Sequence, residues 1–523
     1  MIITGEQSYS ILLEITRSIK THQFDIEVAP VSISAFITKK MVKSILNSKN
    51  LSSFSLVLLP GFIQWDTVSL EGQFDSQIRK GPEFASDLPV ILKNLDDIEL
   101  STKIPANRLL ELSGEKEYKT LIHQKLQTAK ENIGHHTFYI NKDLSDLMIG
   151  KYLPPPIIAE IVNCTEKSEE KIIRKVRYYS KSGADIIDIG CVSNKPNPKR
   201  VKEIITLIRN NFEILISIDS MDKDELKAAI EENVDLILSL DLSNYEAFLD
   251  IPKDIPIVLL PTLIEDGFFP KDPDTRISNL LKLTKIMQNH GFKKLIADPL
   301  LETPISPGIC NSLNAYLLYN KTVSKKENLH LELPLFFGIS NVVELMDLDS
   351  VGINGLLASI AVELDIGVLF TVEHSTKLMY GVKELKQALM LNYLSKSKKT
   401  PPINQGISLF HAKGKTREEI PEEIRKKFDD SILLAEDKKE YEADKKGYFR
   451  IYVDHYIHKI FVLFFDNSDT FITAFQGTNA EALSKKVIEM DLTKNIEHLN
   501  YLGRELAKAE FCLASGKPYI QDQ

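Results

Sequence analysis

The sequence predicts an α/β protein with a central (β/α)8 TIM barrel, a small N-terminal α/β domain and a C-terminal α+β domain. Three observations carry that prediction. Eight short apolar runs recur between about residues 154 and 400: IIAEIV, ADIIDIG, EILISID, DLILSL, IPIVLL, KKLIAD, LPLFFG and IGVLFT. Amphipathic stretches of helical period separate most of them, as in repeated βα units. Eight such units in about 250 residues fit a closed barrel better than a doubly wound sheet.

The bulk numbers agree. A chain of 523 residues exceeds one ordinary core, and two to four domains are expected. Its 43% apolar and 26% charged residues are those of a globular protein, and the net charge of -9 argues against a nucleic-acid partner. The cysteines Cys164, Cys191, Cys310 and Cys512 are far apart without a CxxC, which excludes a disulfide framework or a cysteine zinc site. Cys191 reads as a small loop or core residue rather than a nucleophile. No window approaches 18 uninterrupted apolar residues, and the N-terminus lacks a cationic, apolar leader. A cytoplasmic protein with no membrane partner is the expectation.

The elements follow in order. Residues 1–150 alternate strands (FDIEVAPV, FSLVLLPG) with amphipathic stretches such as SAFITKKMVKSILNS, as a small Rossmann-like layer does. LVLLPG, ending at Gly61, reads as a tight turn or as a ligand-binding loop. KGPEFASDLPVILKNL reads as a loop, then a helix capped near Ser86 or Asp87. The triple proline of KYLPPPIIAE forces extended backbone into the barrel, 154–400. There SEEKIIRKVRYYSKSG is a helix with a Ser168 cap, an Ile172–Val176–Tyr179 face and Gly183 as terminator. In residues 401–523, a charged helical linker precedes paired strands in YFRIYVDHYIHKIFVLFFD and two helices. His455 and His458 flank those strands and read as surface residues.

In such a barrel the chemistry lies at the C-terminal strand ends. These present Asn163, then Gly190 with the loop Val192-Ser193-Asn194-Lys195-Pro196, then Asp219-Ser220. Ser239 and Asp241, Asp298-Pro299, Gly338-Ile339-Ser340-Asn341, and Thr371, Glu373 and His374 follow. Two carboxylates on one mouth can act as acid and base, ligate metal, or accept paired N–H donors. The last role suits an aminopyrimidinone ring. Asp219 and Asp298 could instead cap the helices that follow. Asp185 and Asp188, inside the apolar run of GADIIDIG, either face the mouth or bond neighbouring strands.

GADIIDIG, SIDS and LIADP, in that order, resemble the pterin-binding barrels of dihydropteroate synthases. With GPEFASDLP before the barrel and GISNVVEL and DSVGINGLLASIAVEL within it, the layout resembles the archaeal dihydropteroate synthase-like proteins of methanopterin-using organisms. The resemblance implies that Asp219, Asp298, Ser340 and Asn341 bind a pterin. Ser239 stands where the synthases have asparagine, with Asp241 or Asn244 nearby. It also implies that Asn163, Asn194 and Lys195 face a diphosphate, with Mg2+ as the candidate ion at Asn163. The chain departs from the family late: the Ser-Arg-Lys after strand seven is Ser340-Asn341-Val342, and the strand-eight arginine is Thr371. Lys195 and Lys377 are the nearest replacement cations.

The leading expectation is therefore a transferase that condenses a dihydropterin methyl diphosphate with an arylamine, free or ribosylated, in folate or tetrahydromethanopterin biosynthesis. Lys195 and Asn341 are its candidate catalytic residues. The alternative is methyl transfer between a methyl-tetrahydropterin and a corrinoid protein, because Asp298-Pro299-Leu300 and Gly338-Ile339-Ser340-Asn341-Val342 resemble the methyltransferases that share this barrel. There Asn341 would assist near the pterin N5. A non-catalytic pterin-binding protein is the third reading. Pterin and arylamine are the expected small-molecule partners, and a homodimer is the oligomer this kind of barrel implies.

Overall fold

The computed structural model describes residues 1–19, 23–95, 98–413, 422–426, 435 and 443–522. Most of the charged linker expected after residue 413 lies outside the described residues. The chain divides into two compact units, residues 1–121 with 394–434, and residues 122–393 with 435–523. The sequence reading had drawn its limits at 150 and 400.

In the first unit, β1 (Ile2–Thr4), α1 (Glu6–Ser18), β2 (Ile26–Val28), α2 (Lys39–Asn47), β3 (Leu56–Leu59), β4 (Gln77–Lys80), α3 (Leu88–Lys93) and the start of α4 (Ala106–Glu131) follow in order. The four strands form a parallel sheet in the order β2-β1-β3-β4. Strand alternation covers both faces. Ile3, Val57, Leu59 and Ile78 pack with Val42 and Leu46, whereas Ile2 and Leu58 pack with Leu12, Leu88 and Leu92. Thr38 caps α2 by accepting from the Met41 amide. The helix expected to be capped near Ser86 or Asp87 begins after Asp87, whose side chain makes no capping bond. Gly61 is explained by close approach: a Cβ there would stand 2.6 Å from the Glu83 nitrogen.

In the second unit, β5 (Thr137–Tyr139) and β6 (Met148–Gly150) form an antiparallel pair. Phe138, Ile140 and Ile149 of this hairpin join the barrel's interior core with Ile158, Ile186, Leu215, Val258 and Ile296. The barrel strands are β7 (Ile157–Ile161), β8 (Ile186–Gly190), β9 (Leu215–Asp219), β10 (Leu236–Leu240), β11 (Ile257–Leu259), β12 (Leu295–Ala297), β13 (Phe336–Gly338) and β14 (Val368–Val372). All pairs are parallel, and an Ala297–Leu335 bridge closes β12 onto β13. The barrel helices are α5 (Glu169–Ser182), α6 (Pro198–Asn211), α7 (Lys223–Glu231), α8 (Pro273–Asn289), α9 (Ile309–Val323), α10 (Ser340–Val343), α11 (Ser350–Glu363) and α12 (Gly381–Lys398). Between β10 and β11 the helix is replaced by a single 3-10 turn, Tyr245–Phe248. In α5, Ser168 accepts from the Lys171 amide, Ile172, Val176 and Tyr179 are buried, and Gly183 ends the helix at φ +104°.

The short α13 (Glu422–Arg425) belongs to the first unit. In the second, β15 (Tyr448–Asp454) and β16 (Lys459–Phe465) pair antiparallel as the sequence predicts. A third strand, β17 (Phe471–Gly477), adds to β16 and was not foreseen. One face, with Thr473, Phe475 and Gly477, is half-buried, but Phe471, Ile472 and Ala474 put exposed apolar groups on both faces, so the sequence lacks the alternation that marks a half-buried strand. Phe449, Ile451, Ile460, Val462 and Phe464 pack under α14 (Ala480–Glu489) and α15 (Ile496–Ser515). The surface reading of the histidines is corrected for His455. It is half-buried, and its Nδ1 lies 3.1 Å from the Tyr380 hydroxyl at the barrel surface. His458 is exposed but reaches the same hydroxyl at 3.2 Å. Among the described residues, no helix is long and apolar enough to cross a membrane.

Candidate active site at the barrel mouth

The period of two along each strand decides what enters the barrel. On β7 the inward Ile158 is followed by Glu160, on β8 Ile186 by Asp188, and on β9 Leu215 by Ser217 and Asp219. Register places Glu160 opposite Asp188, Asp188 opposite Ser217, and Gly190 opposite Asp219. The glycine that ends GADIIDIG is required by this packing. A Cβ on Gly190 would lie 2.0 Å from Glu160 Oε1.

Asp188 is fully buried. Its Oδ1 accepts a 2.6 Å hydrogen bond from Ser217 Oγ, and its Oδ2 has no partner. Burial, then the nearby charges of Asp219 and Glu160, hold this carboxyl well above its ordinary range. Asp219 Oδ1 accepts from Ser239 Oγ at 2.7 Å, and withdrawal from water raises its pKa. Glu160 is pushed up to about 7, by burial first and by Asp219 second. Asp298, at the tip of β12, is also raised to about 7 by burial. Its Oδ1 accepts from the Leu300 amide at 2.8 Å and lies 3.2 Å from the Tyr316 hydroxyl. By contrast, Asp185, at the foot of β8, accepts from the Ile157 amide and faces Lys386.

Neither predicted aspartate is a helix cap. Asp222 caps α7 by accepting from the amides of Asp224 and Glu225 at 2.9 and 3.0 Å. The helix after Asp298, α9, starts only at Ile309, behind Gly308. Of the three candidates after β10, Ser239 faces Asp219 from a left-handed backbone, φ +74°. Asp241 is a loop organiser that accepts from Ser243, Asn244, Thr262 and Ile264. Asn244 bonds back to the Ser239 carbonyl.

The remaining predicted residues are dispersed over the rim. Asn163 and Asn194 are exposed, both with left-handed backbones at φ 50° and 60°. Lys195 reaches across to Glu166 of the first loop at 2.5 Å. Lys377 donates to the Met346 carbonyl at 2.6 Å. Ser340 is buried in the first turn of α10, and the exposed Asn341 donates from Nδ2 to the Leu301 carbonyl at 3.0 Å. Cys191 lies beside this site with its thiol raised by burial, as suits an inert loop residue. Glu373 is a clamp, accepting from the Tyr178 hydroxyl and the Val382 amide.

A cavity of about 400 Å3 opens here, lined by Asn194, Asp219, Ser239, Thr262, Phe269 and Leu300 among others. That volume suits a small organic ligand, and its walls combine apolar surface with convergent acceptors. Glu160 is the site residue that sequence reasoning missed. Its signal was a lone acid inside the apolar run IIAEIV. Among the described residues, no three His, Cys, Asp or Glu side chains are grouped to hold a metal ion.

Comparison with known proteins places this geometry in context. Residues 162–352 match the family model described as pterin binding enzyme, and residues 443–522 match the PterinBD-DUF4346 model. The uncharacterized protein MJ0107 of Methanocaldococcus jannaschii is 33% identical over 534 aligned residues, covering 100% of this chain and 98% of that one. A dihydropteroate synthase of Streptococcus pyogenes is 28% identical over 111 residues, 19% of this chain and 42% of the synthase. The crystal structure of Yersinia pestis dihydropteroate synthase aligns with TM-score 0.38 and 18% identity over 50% of this chain and 99% of that one.

Proposed function

The chain belongs to the same family as the M. jannaschii protein and carries a pterin-binding enzyme domain, and we propose from this that it is a transferase of the dihydropteroate synthase type. The observation that carries the reading is Asp188. It is a fully buried carboxyl with one unpartnered oxygen, close enough to Asp219 and Glu160 for their charges to act on it. An unpartnered buried acceptor is costly unless a ligand supplies the donor. The 2-amino and ring N–H donors of a pterin are donors of that kind.

In this reading Asp219, Asp298 and Asp188 fix the ring, with Ser239 orienting Asp219. Ser340 and Asn341, in α10 just past β13, would border it. The methylene C–O bond breaks and its electron pair leaves with diphosphate. The arylamine nitrogen then forms the new C–N bond and releases a proton. The carboxylates favour the positive charge that develops on the pterin as diphosphate departs. Asn163 is the one donor proposed for Mg2+, which would neutralise the leaving group together with the diphosphate oxygens. Asn194 lies on the same rim. Lys195 and Lys377 serve the leaving group only if they release Glu166 and the Met346 carbonyl. The test is release of diphosphate from a dihydropterin methyl diphosphate with Mg2+ and either 4-aminobenzoate or a ribosylated aminobenzene. No release with either acceptor sinks the reading.

One observation favours a second reading. Glu160 holds a proton near neutral pH beside the ring-binding acids, as proton delivery to a pterin N5 during methyl transfer to a corrinoid protein would require. Methyl transfer from a methyl-tetrahydropterin to free cob(I)alamin, without Mg2+, distinguishes it from the first.

A further inference from the structure

The sequence offers Lys195 and Lys377 as the cations that replace those lost from the synthase pattern, and both are bound to protein groups. Other cations stand a short way around the rim. A cleft of about 300 Å3 opens at the ends of β7 and β14, and Lys167, Lys171, Lys175, Glu160, His374 and Tyr456 line it. The lysines come from α5 and the loop before it, and Tyr456 comes from the β15–β16 turn.

The cleft is a built site. Lys175 lies 4.4 Å from the Tyr179 ring centroid and 5.5 Å from that of Tyr456, and its ammonium donates to the Glu373 carbonyl at 3.3 Å. The Arg174 guanidinium stacks on Tyr456 at 4.5 Å while bonded to Asp454, so Arg174 holds the wall. Among the described residues, Lys167 and Lys171 form no ion pair. Glu160 belongs both to this cleft and to the acid cluster around Asp188. Two strand spacings, roughly 10 Å of backbone, separate β7, which gives Glu160 to the cleft, from β9, which carries Asp219. An acidic pocket for a donor-rich ring and a basic pocket beyond it suit one elongated molecule with an anionic end.

We propose that this cleft is an anion subsite, with Lys167 and Lys171 binding a phosphate or carboxylate group of the substrate and Lys175 forming its wall, and that the C-terminal domain completes it through Tyr456. The inference rests on the pterin reading for the ring alone. The geometry gives the C-terminal domain a task in substrate selection, because Tyr456 lines the cleft and packs against both Arg174 and Lys175.

Three probes titrated by calorimetry test this: 6-hydroxymethylpterin, which has no anionic tail, pteroyltriglutamate, and inorganic pyrophosphate. The parent and the surface double variant Lys167→Ala/Lys171→Ala are compared. The expected result is at least tenfold weaker binding of an anionic probe by the variant, with 6-hydroxymethylpterin affinity unchanged. Loss for pteroyltriglutamate assigns the cleft to a substrate tail, and loss for pyrophosphate alone assigns it to the leaving group. If neither anionic probe is weakened, the proposal is overturned. If 6-hydroxymethylpterin fails to bind the parent, the pterin reading falls, and pyrophosphate still decides the cleft.

Discussion

Glu160 and Asp188 are register partners on β7 and β8, and both carboxyls enter the barrel interior. Acids crowded into one water-poor layer cannot all ionise cheaply: burial, then Asp219 and Glu160, raise Asp188, and burial, then Asp219, raises Glu160. The sign of the effect on stability follows. Glu160 has an ordinary value of 4.5 and is raised to about 7 in the fold. Between those values the native state keeps a proton that the unfolded chain has lost. That stabilising contribution is complete below about 4.5 and disappears as pH rises through about 7. Glu160→Gln has no such proton to lose. Its melting temperature should gain on the parent by a few degrees from pH 5 to pH 8.5, measured by scanning calorimetry. A difference that stays constant across that range contradicts the assignment.

In the pterin reading, Asp298 sets a pH dependence of ligand binding. Its carboxyl, raised to about 7, accepts paired N–H donors best when ionised. Pterin affinity should increase about tenfold between pH 6 and pH 8, following the ionised fraction. Asp298→Asn should bind more weakly and lose this dependence. Fluorescence titration of the pterin at several pH values checks both points.

Two aspartates three residues apart should separate cleanly. Asp219→Asn removes an acceptor at the mouth and should weaken pterin binding by about 10- to 100-fold, the range of a charged hydrogen bond. Asp222→Ala removes the α7 cap and should cost about 1 kcal/mol of stability. Asp222 also lines the cavity, so the two variants differ in size of effect: its loss of pterin affinity should be far smaller than that of Asp219→Asn. Equal loss of binding in both variants would mean that Asp219 acts through the loop.

Gly190 should tolerate no side chain while Glu160 is present. Gly190→Ala places a methyl where Glu160 Oε1 stands and should destabilise the barrel by about 1–3 kcal/mol. The three atoms nearest that methyl all belong to Glu160, so Glu160→Ala should rescue most of the loss. Denaturant unfolding of both single variants and the double variant measures the coupling.

Much was legible in the chain because it is local. Eight apolar runs separated by helical periods specified the barrel, and the Ser168 cap with Gly183 bounded α5. Strand-end position marked Asp219 and Asp298, since the C-terminal tip of a barrel strand is set by the strand's own residues. Other features depend on neighbours distant in sequence. Only the closed barrel turned Glu160 from one polar residue in an apolar run into a partner of Asp188. Only the fold paired Lys195 with Glu166, and Lys377 with the Met346 carbonyl, engaging both of the cations that the family resemblance had suggested. The basic cleft joins α5 to a turn nearly 300 residues later, as the Arg174–Asp454 bond with its separation of 280 residues shows. Periodicity and capping act within a few residues of the chain, so the sequence by itself determined the elements and the strand tips. Register, charge pairing and burial arise when distant segments share one volume, so the tertiary structure alone decided which acids hold protons and which cations stay open to a ligand.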